Sequence, residues 1–270
     1  MSALAVVGIA AAVMVVAMAA AWQLQRVTSN GGWVDVVWTF STGVTAVLAA
    51  LAPQSGSDGW NARQAVVAAV VAIWSTRLGL HIAQRARRSS EDARYELLRQ
   101  AWGAAFQSRM LRFLMAQPVC SAVLVGSVVI AARVPGNGLT ARDLIALALA
   151  ATGVVGAAII DAQLVRFKAD VRNRGGILRS GLWSWSRHPN YFFEWLAWLA
   201  LPVLAAGVSG YALGWITLAA PVGMYWVLMY ATGVPLLEDH MLRSRAEAYR
   251  AYRQETNAFF PFPSRKVKPT

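Results

Sequence analysis

Only 14% of the 270 residues are charged while 57% are hydrophobic, where a soluble domain would carry about a quarter charged residues; the charges cluster between long apolar runs, which excludes a soluble globular protein and leaves lipid as the solvent. The lone cysteine, Cys120, excludes an intrachain disulfide, and with only three histidines, at 81, 188 and 240, the chain has little material for a metal centre. A net charge of +12 fits basic cytoplasmic loops beside anionic headgroups and argues against nucleic acid as a partner.

The first predicted span is 4–22, Ala- and Val-rich and uncharged. No basic stretch precedes it, and its apolar run exceeds the about 7–15 residues of a signal-peptide core, so a retained helix is expected. The second span covers 33–53, with Asp35 near its start. The third covers 65–83, with Arg77 and His81 on one face near its end. A polar loop at 85–112 follows. Within it, 91–102 is an amphipathic stretch expected on the membrane surface, with Leu97, Leu98 and Trp102 as its apolar side. The fourth span is 113–132, the fifth 144–165, the sixth 192–208 and the seventh 213–234. Gly207, Gly210 and Gly214 mark the turn between the last two, and a surface helix and tail occupy 236–270.

Orientation follows from the loops. Seven crossings put 21 lysines and arginines on one side and leave only Arg63, Arg133 and Arg142 on the other, with Arg77 inside a helix. One span more or fewer upstream scrambles that separation. The expected architecture is an all-α bundle of seven transmembrane helices, a single membrane domain over 1–270 with its N-terminus outside and its C-terminus in the cytoplasm. The large polar segments then face the cytoplasm, and a site opening on that side is expected.

The densest chemistry lies in 181–194, leading into the sixth span. Pro189 suits the first turn of a helix, which puts Arg187 and His188 just before it and Asn190 within it. Asn190 and Glu194 are four residues apart and share a face. Glu194 is expected about one turn inside the membrane boundary, where an ionisable group is costly unless it meets a polar cavity or a partner. Equally, Arg187 and His188 can be interfacial anchors and Glu194 a structural hydrogen-bonding group. At the end of the fifth span Asp161, Leu164 and Lys168 recur at helical spacing, and the basic segments there make a bed for phosphates. Positive-inside topology explains the same cations without a ligand. Glu238, Asp239 and His240 follow the last span, and Tyr249 and Tyr252 are either packing residues or ligand contacts. Asp35 either completes a pocket with Arg77 and His81 or pairs with Arg77. There is no strand-borne GxGxxG, Walker loop, GxSxG elbow or HExxH motif, so a nucleotide would have to bind within the bundle.

On these residues the chain resembles a known family. The segment 181–194, with Ser186, Arg187, His188, Pro189, Asn190 and Tyr191 at its heart, resembles the signature of the bacterial domain-of-unknown-function 1295 family, whose fold is that of the steroid 5-alpha-reductase C-terminal domain. The likeness extends to Glu91 through Tyr95, to Leu98 and Arg99, to Trp102 and Gly103, to 161–168 and to the C-terminal tyrosines. It covers most of the chain from about Asp35 onwards. The resemblance implies a multi-pass reductase of the bacterial inner membrane that holds NADPH in a cavity opening to the cytoplasm, with 161–194 as the cofactor-binding core. Carried over, Arg94, Tyr95, Asp161, Lys168, Arg187, His188, Asn190, Tyr191, Glu194 and Tyr249 are expected near the cofactor. Asp35 and His81, named from this sequence and not from the family, are the candidates for proton delivery. The implied reaction is hydride transfer to a C=C bond conjugated to a ketone, in a sterol-like or isoprenoid-like substrate drawn from the lipid. A hydrogen-bond donor near the carbonyl would stabilise the enolate. Steroid reductases bind that carbonyl with a Gln-Glu pair on the second helix and a Tyr on the third. Here the nearest groups are Asp35 and Trp38, then Trp74, Arg77 and His81. An Arg-His-Pro-x-Tyr segment with an acidic pair after the last helix also occurs in S-adenosylmethionine-dependent isoprenylcysteine and phospholipid methyltransferases, and Glu238 with Asp239 imitates that pair. A non-catalytic lipid-binding membrane protein is the further alternative.

Overall fold

The structure, a computed structural model, describes residues 1–53, 59–136 and 138–263. Among them the regular elements are helices, and the one extended pairing is an isolated bridge between Ser186 and Asn257. Six helices are long and apolar enough to cross a membrane: Ala3–Thr28, Gly32–Ala50, Ala62–Arg88, Ala93–Ala132, Ala141–Ala169 and Ala212–Ser244. This is the composition of a multi-pass membrane protein.

The helices begin where the side chains let them. Ser2 Oγ accepts the N–H of Ala5 to open α1 (Ala3–Thr28). After α2 (Gly32–Ala50), α3 (Ala62–Arg88) starts with a reciprocal cap in which Asn61 and Gln64 each accept the other's backbone N–H, at 2.8 and 3.1 Å. Asp92 caps α4 (Ala93–Trp102), and a short 3-10 turn joins it to α5 (Phe106–Ala132). α1, α3 and α6 (Ala141–Ala169) run several residues past their predicted ends. Each overrun carries cations, Arg26, then Arg85, Arg87 and Arg88, and Arg166 with Lys168, which favour a helix C-terminus electrostatically.

The predicted sixth span, 192–208, is not one helix. It is α7 (Pro189–Trp198), a break at Leu199, and a short α8 (Ala200–Ala205). Pro202 explains the break, because it has no N–H for the Trp198 carbonyl four residues earlier and its ring crowds that oxygen. The last span is longer than predicted and irregular. A 3-10 stretch (Ala212–Leu218) leads into α9 (Ala219–Trp226), a π-turn (Val227–Ala231) and α10 (Val234–Ser244), and α11 (Ala246–Glu255) follows. Pro221 and Pro235 sit in the first turns of α9 and α10, where a missing N–H costs nothing.

The residues fall into two compact units, one made of Met1–Ala150 with Trp198–Gly223, the other of Ala151–Ala197 with Met224–Thr270. In the first, α2 lies so close to α3 that a Cβ on Gly43 would stand 2.2 Å from the Ser75 side chain. Its core joins Met14, Met18 and Ala21 of α1 to Val34, Tyr95, Phe106, Met110 and Leu114. In the second, a Cβ on Gly153 would lie 2.6 Å from the Ala197 backbone nitrogen. Small residues thus set both helix contacts, as lipid-embedded packing requires.

Candidate functional site

Within the first unit an ionic network ties the start of α2 to the first turn of α4 and the residues just before it. Asp35, in the first turn of α2, accepts a short hydrogen bond from the Arg94 guanidinium and one of 2.9 Å from the Tyr95 hydroxyl. Arg94 also bonds Asp92 through Nε at 3.0 Å and Nη2 at 3.1 Å. Arg85 reaches Asp92 at 2.8 Å and lies 3.9 Å from Asp35. Burial opposes ionisation of Asp92, yet Arg94 and Arg85 together hold its carboxyl well below the usual carboxylate range. Glu91 closes the network, accepting from Gly31 N at 2.6 Å and Arg99 Nη2 at 2.8 Å. The structure therefore joins Asp35, Arg94 and Tyr95. His81 is half-buried on α3, on the face it shares with Arg77 and Arg85.

The stretch 91–102 does not present its apolar side to the membrane surface. Leu97 is buried, and Leu98 and Trp102 pack on the core of the first unit. The pattern of a surface helix is the same whether its apolar face meets lipid or protein, and here protein takes it.

The second unit is built around the signature. Pro189 opens α7, with His188 just before it. Arg187 donates from Nε to Glu238 Oε1 at 2.8 Å, and from Nη1 to the Thr256 carbonyl at 2.5 Å. Its backbone N–H donates to the Asn257 carbonyl at 2.8 Å. His188 Nε2 is 3.2 Å from the same Glu238 oxygen, and Arg253 Nε is 3.3 Å from the other. Ser186 Oγ donates to the Phe259 carbonyl at 2.8 Å, and the Tyr252 hydroxyl donates to the Trp183 carbonyl. The His188 ring stacks on Tyr191 at 5.6 Å and 10°. Phe192 and Trp195 of α7 meet Phe259 edge-on at 5.9 and 5.7 Å. The signature therefore grips the segment 249–260, a role the sequence reading missed. The aromatic run at 259–262 was the available signal, since so many rings in a tail need something to pack against.

Burial pushes the Tyr249 and Tyr252 hydroxyls well above their ordinary value, with the Glu238 carboxylate adding to it. Burial also lowers the His188 imidazole, against the opposing pull of Glu238. A histidine depressed in the folded state is proton-poor relative to the unfolded chain, so stability is greatest above the unfolded value near 6.5 and falls as pH drops below it. Thermal unfolding between pH 8 and 5 should show this decline, and His188→Gln should flatten it. Parallel curves for the two proteins would remove His188 as the cause.

Of the remaining candidates, Asp161 on α6 and Glu194 on α7 are buried at 6% and 8% exposure, Asn190 and Tyr191 are half-buried, and Lys168 is exposed. All belong to the second unit with Arg187, His188 and Tyr249, whereas Arg94, Tyr95, Asp35 and His81 belong to the first. Glu238 and Asp239 have different surroundings: Glu238 is buried against Arg187, Arg253 and the His188 imidazole, while Asp239 is about half exposed and pairs with Arg243 one turn on. Two further buried polar atoms of the second unit, Gln163 Oε1 and Trp183 Nε1, have no hydrogen-bond partner among the described residues.

Comparison with known proteins adds a family and a distant relative. The family model described as protein of unknown function DUF1295 matches residues 21–256. That family is related to the steroid 5-alpha-reductase-like membrane proteins. A Schizosaccharomyces pombe protein, described as uncharacterized protein C594.04c, is 28% identical over 280 residues, covering 88% of this chain and 78% of its own length. No solved structure matches.

Proposed function

The chain belongs to the DUF1295 family, and on that premise we propose that it is an NADPH-dependent reductase of the bacterial inner membrane, acting on an activated C=C bond of a sterol-like or other lipophilic enone. The proposal includes seven crossings, with α7 and α8 together making the sixth, the N-terminus outside and the C-terminus in the cytoplasm. The observation that carries the reading is one of placement. Eight candidate cofactor residues scattered over 161–249 lie in one compact unit, and four of them, Asp161, His188, Glu194 and Tyr249, are buried polar groups. Burying that much polarity in a membrane bundle is costly unless it serves a ligand or a partner.

The chain's own groups fit such a cofactor. The unpartnered indole N–H of Trp183, inside the signature, and the unpartnered Gln163 Oε1 are a buried donor and acceptor ready for a polar ligand. Lys168, exposed at the end of α6, suits a phosphate. Asn190 and Glu194 present an amide and a carboxylate on one face of α7. Arg187 is engaged with Glu238 and two backbone carbonyls, so its part is to hold the signature in shape. NADPH, when bound, would supply the hydride for one carbon of the C=C bond, and a proton would reach the other carbon from the enzyme or water. The buried Glu238 is tied to Arg187, His188 and Arg253, while Asp239 pairs with Arg243 alone; the alternative of an S-adenosylmethionine-dependent methyltransferase is told apart by which ligand stabilises the protein.

Thermal unfolding of purified protein with NADPH, NADH or S-adenosylmethionine tests the proposal, because a ligand of the folded state raises its apparent stability in proportion to ln(1 + [L]/Kd). NADPH should stabilise the wild type, and Asn190→Ala and Glu194→Gln should weaken that response more than they lower the yield of folded protein. Stabilisation by S-adenosylmethionine alone would replace the reductase with a methyltransferase. Silence from all three would leave a non-catalytic lipid-binding protein.

A further inference from the structure

Among its described residues the first unit holds three buried side-chain amides, and two of them are satisfied. Asn30 donates to the Ala86 and Ser89 carbonyls at 3.0 and 2.9 Å and accepts Gly32 N at 2.8 Å. Gln64 donates to the Ala50 carbonyl at 2.9 Å and accepts Asn61 N at 3.1 Å. Gln25 is different. It is 0% exposed, and neither its nitrogen nor its oxygen has a hydrogen-bond partner among the described residues. It ends the buried stripe of α1, Val6, Ala10, Met14, Met18, Ala21 and Gln25, where any apolar side chain would satisfy the packing. Three residues earlier, the Trp22 indole donates to the Gln107 carbonyl at 3.2 Å, and the side-chain oxygen of Gln107 is a second buried acceptor without a partner.

An unmade buried hydrogen bond is a standing penalty. The core on the same stripe is rich in methionine: Met14, Met18 and Met110 are fully buried, beside Tyr95 and Phe106. Methionine is the apolar side chain that most readily reshapes around a guest. We propose that Gln25 is the polar anchor of a binding site for a lipophilic molecule ending in a carbonyl or hydroxyl oxygen, admitted by rearrangement of Met14, Met18 and Met110. A carbonyl would take the amide N–H of Gln25, and a hydroxyl could also donate to Gln25 Oε1 or Gln107 Oε1. The inference rests on the reductase reading for its choice of an enone as probe.

The test uses full-length protein in nanodiscs, with β-ionone as the ketone, β-ionol as the matching alcohol, and Gln25→Met as the variant. Without ligand, Gln25→Met should unfold at the wild-type temperature or up to about 6 °C above it, because it deletes an unsatisfied amide while keeping volume. With ligand, the wild type should be stabilised and the variant should need about tenfold more probe for the same shift. A stronger response to the ketone identifies a carbonyl site, and a stronger response to the alcohol a hydroxyl site. A variant that unfolds earlier than the wild type means that the amide has a structural partner, and overturns the proposal. So does a wild type unmoved by both probes, or a variant that keeps the full response; Gln25→Leu repeats each comparison. A wild type that responds to β-ionone but not to NADPH keeps this site and discards the reductase.

Discussion

Asp143→Ala is expected to destabilise the protein by about 3–5 kcal/mol, read as an earlier unfolding transition in detergent or nanodiscs. Arg63 and Asp143 are each 4% exposed, and they meet twice, Nε to Oδ1 at 2.6 Å and Nη2 to Oδ2 at 3.0 Å. Arg63 also donates to the Val134 and Gly138 carbonyls at 2.7 and 3.0 Å, while Thr140 donates twice to Asp143, from N at 2.8 Å and from Oγ1 at 2.6 Å. One ion pair thus fastens the start of α3 to the end of α5 and the start of α6. Deleting the carboxylate leaves a buried guanidinium with two carbonyls for company. Deleting the guanidinium leaves a carboxylate that still has both Thr140 donors, so Arg63→Ala should lose less. Replacing both by leucine should recover much of either loss, since a buried pair gains little over apolar packing once neither charge is stranded. A loss below about 1 kcal/mol for Asp143→Ala would place this pair with exposed ones and refute the argument.

The same pair shows what the sequence could and could not reveal. Hydropathy located α1, α2, α3, α5 and α6 because a lipid-crossing helix must be apolar over about 20 residues. Charge partition set Arg63, Arg133 and Arg142 apart as the minority side. In the structure two of them are tethered, Arg63 as above and Arg142 to the Ala206 carbonyl at 2.5 Å, while among the described residues Arg133 has only an exposed contact of 3.4 Å to the Met1 carbonyl. Partition counts charges and cannot see that Arg63 and Arg142 have fixed structural partners. The stretch 192–208 passed as one span because hydropathy ignores the N–H that Pro202 lacks. The Asp35, Arg94 and Tyr95 cluster joins residues about 60 apart in the chain, and no local pattern encodes that pairing. Pro189 and the four-residue spacing of Asn190 and Glu194 were legible, since both follow from helix geometry alone.

The grip of the signature on the C-terminal segment predicts unequal roles for two neighbouring carboxylates. Glu238→Ala should destabilise the second unit by about 3–5 kcal/mol, because Arg187 and His188 would be left buried without their shared acceptor. Asp239→Ala should change stability by no more than about 0.5 kcal/mol, as the exposed Asp239–Arg243 pair is a surface contact. The loss at Glu238 should also be local. With Arg187 no longer oriented, its bonds to the Thr256 and Asn257 carbonyls weaken, and α11 loses the contact between Arg253 and Glu238. Trypsin should therefore cut at Arg250 and Arg253 faster in Glu238→Ala than in the wild type or Asp239→Ala, before the membrane helices unfold. If the signature shapes a cofactor site, the NADPH response should disappear with the same substitution and survive in Asp239→Ala. Equal effects of the two substitutions on both readouts would mean that the carboxylates act as a pair and would overturn the separate roles of Glu238 and Asp239.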